Sequence, residues 1–267
     1  MLRSEQNGKR GYIAAAACIA TLLSSHSMSL KGTFLVHHKS GTFLMYDLAE
    51  DIAAVQNSTL MYLESVVDPG ICLERHSTLC VLTLSSFSNR TKIFQMTSNT
   101  PVIHMVRNPL EMIVSAYQYH RNGHECSNWF GLEACSYVRS HDKRNALHVI
   151  GAHMLVHYIS VMDEVTLALR QRRSEFIELK MEKFQCCYLQ STRKMLRSLH
   201  VDVDNVELLL EEMARHNIWA NGSRVVRNHV SPVSDKIELR RIVLADQFLC
   251  HKIKLSQAIH GYQISVC

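Results

Sequence analysis

The stretch Thr33 to Leu48, TFLVHHKSGTFLMYDL, constrains the fold more than any other part of this chain. It opens as an apolar, partly β-branched run, Thr33 to His37, which predicts a strand. The polar turn His38-Lys39-Ser40-Gly41-Thr42 follows. Beyond the turn Leu44, Leu48, Ile52 and Val55 recur at three- and four-residue steps, the period of one helix face. Strand, tight basic turn and helix together make an anion cradle. N–H groups at a helix start lack partners, and the helix dipole places partial positive charge there. Gly41 lets the backbone come close to an anion, Ser40 and Thr42 offer hydroxyl donors, and Lys39 brings a full charge. A nucleotide phosphate is the expected guest.

A second corner of the same kind follows the run Val102 to Val106, VIHMV, which reads as a buried strand. Next come Arg107-Asn108-Pro109, then Glu111, Val114, Ser115 and Tyr117. Asn108 suits an N-cap, Pro109 the first helical position, and Glu111 a capping-box-like spacing. That leaves Arg107 at the carboxyl end of a strand, where open α/β sheets bind ligands. Its planar guanidinium suits bidentate contact with phosphate. Ser115 follows about two turns into the helix.

The nucleotide-triphosphatase pattern GxxxxGK[ST] does not fit, because His38 precedes Lys39 and the next glycine upstream is Gly32. The order Lys39-Ser40-Gly41-Thr42 after a strand instead resembles the loop of sulfotransferases that holds the 5′-phosphosulfate of 3′-phosphoadenosine 5′-phosphosulfate (PAPS). Arg107-Asn108-Pro109 followed by Val114-Ser115-Ala116-Tyr117 resembles that family's second cofactor motif, in which the Arg and the Ser bind the 3′-phosphate. The resemblance spans roughly residues 33–200. It implies a P-loop-like three-layer α/β/α fold with a central, mostly parallel sheet. It implies PAPS as donor, without a metal, and a hydroxyl-bearing acceptor rather than nucleic acid. The residues it places at the cofactor are His38, Lys39, Ser40, Gly41, Thr42, Phe43, Arg107 and Ser115, with Lys39 also stabilising charge on the leaving phosphate. The general base is not where the family's cytosolic members carry a His. After the second strand, Cys80 to Leu84, stands Ser85-Ser86-Phe87-Ser88. Glu64, Glu74 and His76 are the remaining candidates, with Glu74 and His76, just before that strand, the chosen ones. A nucleotide-binding protein without catalysis and a nucleotide kinase are the rivals; a kinase needs a Mg²⁺-holding acid, and no Asp follows a strand in a suitable place.

With 267 residues, 47% hydrophobic, 4 Pro and 10 Gly, the chain suits one domain over 31–267 rather than repeats or disorder. A net charge of +5 suits an anionic ligand better than a long nucleic-acid track. Residues 1–30 carry Lys9 and Arg10 before an apolar run of 12 residues, Tyr12 to Leu23, and then polar residues. This fits a signal peptide or signal anchor, with a soluble helix as the alternative; the run is short of the about 20 residues that span a bilayer. Sequons at Asn57, Asn89 and Asn221 permit a secretory route. A Golgi or other secretory lumen, with type II anchoring through the N-terminus, is therefore expected, with the cytoplasm as the alternative. In a lumen, carbohydrate is the favoured acceptor. Among the nine cysteines no CxxC occurs, so a zinc knuckle is not expected; Cys126 and Cys135 either pair across a loop or stay free. His153 and His157 share a helix face but lack the HExxH context of a zinc site.

The remaining elements read as a mixed connection over 56–78, a polar loop over 121–147 beside the acceptor, and one long helix over 147–170. A fourth strand is expected over Phe176 to Met181. Its following turn at Glu182 resembles a structural turn of the family. Helices follow at about 188–199, 202–215 and 235–250, and the last helix ends near Gly261. The basic stretch Ser223 to Ser231 offers Arg224 and Arg227 as a late clamp on the cofactor.

Overall fold

The computed structural model describes residues 30–64, 72, 78–97, 100–123, 131–171, 175–215, 217 and 233–267. Strand β1, Gly32–His37, is buried along its whole length. It is the middle of a five-stranded sheet ordered β2-β3-β1-β4-β5, with β2 Thr59–Glu64, β3 Thr78–Leu84, β4 Val102–Val106 and β5 Phe176–Lys180. Every neighbouring pair is parallel. The helices in chain order are α1 Thr42–Val55, α2 Arg90–Thr97, α3 Pro109–Arg121, α4 Leu132–Ser140, α5 Lys143–Met154, α6 Ser160–Gln171, α7 Met181–Cys186, α8 Tyr188–Ser198, α9 Val203–Ala214, α10 Val233–Ala245 and α11 Gln247–Ile259. A π-helical turn, Leu155–Ile159, joins α5 to α6.

A parallel sheet needs cover on both faces, and the alternation of β1 assigns the layers. Phe34 and Val36 pack with Leu48 and Ile52 of α1, Met195 and Leu196 of α8, and Leu209 and Met213 of α9. Leu35 and Leu82 face the other way, onto Val161, Val165 and Leu169 of α6. A further cluster joins α3, α5, α10 and α11 through Ile113, Tyr117, Ile150, Val243 and Ile253. Burying one such side chain contributes about 1.5–3 kcal/mol, against about 0–1 for an exposed ion pair such as Lys143–Glu238. The apolar faces, not the surface charges, therefore hold the layers together.

The three-layer architecture matches the expectation, and the departures have local causes. The connection over 56–78 contains β2, an edge strand with only Leu63 buried, whose short apolar run Leu60-Met61-Tyr62-Leu63 the sequence reading does not separate from the rest of the connection. The polar loop expected over 121–147 contains α4 and the start of α5, which Asp142 caps by accepting from the N–H groups of Arg144 and Asn145. The long helix over 147–170 is two helices interrupted by the π turn. The helix expected over 235–250 is broken at Asp246, which accepts from the N–H of Leu249 and so starts α11. Gly261, at φ 60°, terminates α11 as anticipated, with the Tyr262 N–H donating to the Gln257 carbonyl. Residues 1–29 and Cys126 lie outside the described residues. Among the described residues no helix is long and apolar enough to cross a membrane.

A polar relay crosses this apolar interior beneath the carboxyl edge of the sheet. His37 and His104 face each other across β1 and β4, Nε2 to Nε2, at 2.8 Å. His104 Nδ1 meets Thr166 Oγ1 at 3.2 Å, and that hydroxyl lies 3.3 Å from Glu178 Oε2. His260 spans Glu178 (3.2 Å) and Asp163 (2.9 Å), and Ser256 donates to Asp163 at 2.6 Å. One proton arrangement satisfies the chain best. His37 Nε2–H donates to His104, whose Nδ1–H donates to Thr166, whose hydroxyl donates to Glu178. His37 Nδ1, which has no partner among the described residues, is then a bare acceptor and not a stranded donor.

Burial holds both central imidazoles neutral, drawing His37 down to about 3 and His104 well below its ordinary value. The stability this confers is complete above about pH 6.5 and falls toward pH 3, by about 1.4 kcal/mol per pH unit for each group while the unfolded chain alone takes the proton. His260 acts in the opposite sense. Its burial opposes charge, but Asp163 and Glu178 outweigh that and raise its pKa, so its contribution is full at low pH and lost as pH rises through the folded value. Denaturant midpoints are expected to fall between pH 6.5 and 5, and His37→Gln to flatten that slope; an unchanged slope in the variant would contradict the relay.

Candidate active site

At the carboxyl end of β1 the chain must reverse into α1 within four residues. Lys39 and Gly41 make this possible with φ of 64° and 101°. The His37 carbonyl organises the turn by accepting from three donors: Ser40 N–H at 2.9 Å, Ser40 Oγ at 2.8 Å and Thr42 Oγ1 at 3.1 Å. Ser40 Oγ also accepts from the His37 N–H at 2.8 Å. The hydroxyls of Ser40 and Thr42 thus shape the loop in the free molecule, and Ser40 is fully buried. No side chain caps α1, so its first-turn N–H groups and dipole face the turn as an anion-binding end. Phe43 is exposed beside it, edge-on to Tyr46.

The second corner is bound directly to the first. Arg107 leaves β4 and donates from Nη1 to the Lys39 carbonyl at 2.9 Å. Asn108 caps α3 by accepting from the Leu110 N–H at 3.0 Å, with Pro109 at the first helical position. Glu111 does not close a capping box; it pairs with Arg240 of α10 at 2.6 Å. Helix α7 locks both corners. Glu182 accepts from the Asn108 N–H at 2.9 Å and from the Tyr262 hydroxyl at 2.8 Å, while Met181 packs where a Cβ on Gly41 would stand. Lys236, from α10, joins the cations here. Burial first, then the charge of Arg107, lower its pKa, and burial lowers that of Arg107 itself. Cations that depress one another are a site suited to an anion. Ser115 lies half-buried two turns along α3. Sequence reading gave Lys236 and Arg240 no role; their four-residue spacing on a helix was the available signal, but nothing in the sequence showed where that helix packs.

Beside Lys39 stands a group of imidazoles and aromatic rings. Lys39 Nζ lies 3.1 Å from the centre of the Tyr119 ring. His38 is buried between His120 and Tyr158, at 5.6 and 5.1 Å between rings, and burial and then Lys39 hold its pKa well below the ordinary value. His153 and His157 approach to 4.5 Å. His157 comes from the π turn and meets the loop after β3: Ser86 Oγ lies 2.6 Å from its Nδ1, the Ser86 N–H donates to its carbonyl at 2.9 Å, and Phe87 stacks on its ring at 5.7 Å. The segment Ser85 to Ser88 contains no His, yet the fold delivers one to it. A π turn inserts an extra residue and re-aims side chains, an effect without a sequence signature here.

Of the expected residues, His38 through Phe43, Arg107 and Ser115 sit on the two corners. Glu74, His76, Arg224 and Arg227 lie outside the described residues. Glu64 ends the edge strand β2, two strands from β1, and is exposed. Among the described residues no group of three His, Cys, Asp or Glu is arranged to hold a metal ion.

No family model matches the chain, and no curated protein matches it. Among solved structures it is similar to mouse sulfotransferase SULT7A1 complexed with PAP, at a TM-score of 0.51 and 16% identity, over 87% of this chain and 89% of that one. The two share a fold. At this identity the likeness establishes the three-layer architecture and its parallel sheet.

Gly41→Ala is expected to lower stability by about 1–3 kcal/mol, since its φ is unfavourable for any side chain and the new Cβ would meet Met181 Sδ at 2.7 Å. Urea denaturation of the variant checks this; a midpoint equal to wild type would mean the loop is not held in this shape.

Proposed function

We propose that this chain transfers a sulfuryl group from PAPS to a hydroxyl acceptor, with carbohydrate as the acceptor class and a Golgi or other secretory lumen as its place. One observation carries the reading: the Arg107 to Lys39 bond joins two cationic strand-to-helix corners on one sheet edge. A donor with anionic groups at its 5′ and 3′ ends needs two such corners at a fixed separation. The uncapped start of α1 with Lys39 suits the 5′ end. Arg107, Ser115 and Lys236 suit the 3′-phosphate. The donor supplies the sulfuryl group; the chain's part is to position it, to place Lys39 where charge develops on the leaving oxygen, and to accept the acceptor's proton.

His157 is the base we assign in place of Glu74 and His76. For that role its Nδ1–H donates to Ser86 Oγ, which fixes ring and tautomer and reserves Nε2 for the proton. Two disulfides, Cys72–Cys80 and Cys250–Cys267, with Cα separations of 6.2 and 6.1 Å, support an oxidising lumen. Asn57 and Asn89 are exposed, as acceptor sites for glycans require. Carbohydrate is favoured by that compartment.

A melt with 3′-phosphoadenosine 5′-phosphate, AMP and ATP–Mg²⁺ side by side tests the donor site. At about 100-fold over Kd the bisphosphate should add about 2.7 kcal/mol, AMP far less, and Arg107→Ala should erase the difference. A shift with ATP–Mg²⁺ alone would favour a kinase. Acceptor-independent hydrolysis of PAPS should be abolished in Lys39→Ala; binding without hydrolysis in wild type would favour a nucleotide-binding protein. His157→Ala is expected to lower kcat by about 10²–10⁴ with bisphosphate affinity retained. An unaltered kcat would remove His157 from the mechanism.

A further inference from the structure

Cys186 and Cys187 are consecutive thiols at the junction of α7 and α8, with Sγ atoms 2.8 Å apart. A disulfide bond is about 2.05 Å long and usually spans Cα separations of about 4.4–6.8 Å, while adjacent Cα atoms are about 3.8 Å apart, so joining the two sulfurs requires the backbone between them to give. Cys186 is exposed and Cys187 partly so. The remaining described cysteines, Cys72, Cys80, Cys135, Cys250 and Cys267, are in disulfides, which leaves this as the thiol pair among the described residues.

The junction holds the pair in place. The Cys187 N–H donates to the Lys183 carbonyl at 2.8 Å, ending α7, and the Cys187 carbonyl accepts from the Ser191 N–H at 3.0 Å, starting α8. Phe184 and Tyr188, on either side, are buried and meet edge-on at 5.8 Å. The neighbouring Cys186 thiol, in hydrogen-bond contact, pushes the pKa of Cys187 up, and Lys183 offsets this only in part. The two sulfurs therefore share one backbone-held corner, with Cys186 facing solvent.

We propose that Cys186 and Cys187 form a vicinal-dithiol modification site, closed reversibly by a small disulfide of the glutathione type. One thiolate attacks the disulfide and releases one small thiol. The neighbouring thiol gives up its proton and displaces the second, forming the protein S–S bond. The protein dithiol loses two electrons and two protons, and one small disulfide becomes two small thiols. Closure alters the backbone that Cys187 uses to end α7 and start α8. The other end of α7 is Met181 against Gly41 and Glu182 on the Asn108 N–H. Closure therefore acts on the two anion corners through a six-residue helix. This last consequence rests on the proposed function; the thiol chemistry does not.

Folded protein treated with oxidised glutathione, acid-quenched and peptide-mapped, tests the site. Wild type should yield the peptide carrying both residues lighter by two hydrogens, with no glutathione retained. Cys186→Ser and Cys187→Ser should each stop at the mixed disulfide. Phenylarsine oxide, a trivalent probe that chelates neighbouring thiols, should shield both cysteines from iodoacetamide in wild type and neither single variant. Glutathione retained on the wild-type pair, or equal shielding in the single variants, would overturn the proposal. Bisphosphate affinity should fall several-fold on closure. Thiol results as expected with unchanged affinity would break only the link to the anion corners, and no bisphosphate binding in either redox state would break the proposed function instead.

Discussion

The hydrogen bond from Arg107 to the Lys39 carbonyl is the constraint on which the site depends. It ties the loop after β1 to the loop after β4, neighbouring parallel strands whose carboxyl ends open on the same edge. The Lys39 backbone can present its carbonyl this way because its φ is positive, and the turn tolerates that conformation because the His37 carbonyl holds it with three donors. Strain in the loop and order in the site are thus the same fact. Glu182 extends the lock to α7 and, through Tyr262, to the chain beyond α11.

Both corners were legible in the sequence because their signals are local. A β-branched run, a glycine in a basic turn, and an Asn-Pro helix start each act within a few residues. The sheet was legible in four strands, β1, β3 and β4, buried along their length, and β5, an edge strand that buries only Leu179; β2, the other edge strand, was not, because its short apolar run lies inside a longer mixed segment. What escaped was whatever depends on which helix packs where. Lys236 and Arg240 reach the Arg107 corner only because α10 lies against α3, and His157 reaches Ser86 from 71 residues away. Glu111 looked like part of a capping box, and a long-range partner, Arg240, claimed it. Local spacing names the residues able to make a bond; tertiary competition decides which bond is made.

Seven of the sixteen histidines fall into two groups that composition could not separate. His37, His104 and His260 belong to the interior relay and answer the question of how a parallel sheet accommodates polar side chains at its centre: each nitrogen but one is paired. His38, His120, His153 and His157 form a chain of ring contacts with Tyr158 that begins at His38, next to Lys39. The boundary between the groups is a single peptide bond, His37 to His38, where the alternation of β1 sends one imidazole into the core and the turn sends the next toward the aromatic rings of α3 and the π turn.

The charge balance at the second corner shows how such a site remains stable without its ligand. Arg107, Lys236 and Arg240 repel one another, and burial raises the cost of each charge. Glu111 and Glu182 offset this without filling the corner, because each is spent on structure: Glu111 on Arg240, Glu182 on the Asn108 N–H and the Tyr262 hydroxyl. Neither carboxylate makes a hydrogen-bonded ion pair with Arg107, whose bond goes instead to a neutral carbonyl. A carboxylate paired with Arg107 would stabilise the free protein more and compete with an incoming phosphate. A carbonyl fixes the guanidinium in position, while Glu111 and Glu182 offset its charge only from a distance, a compromise that suits an anion-binding corner.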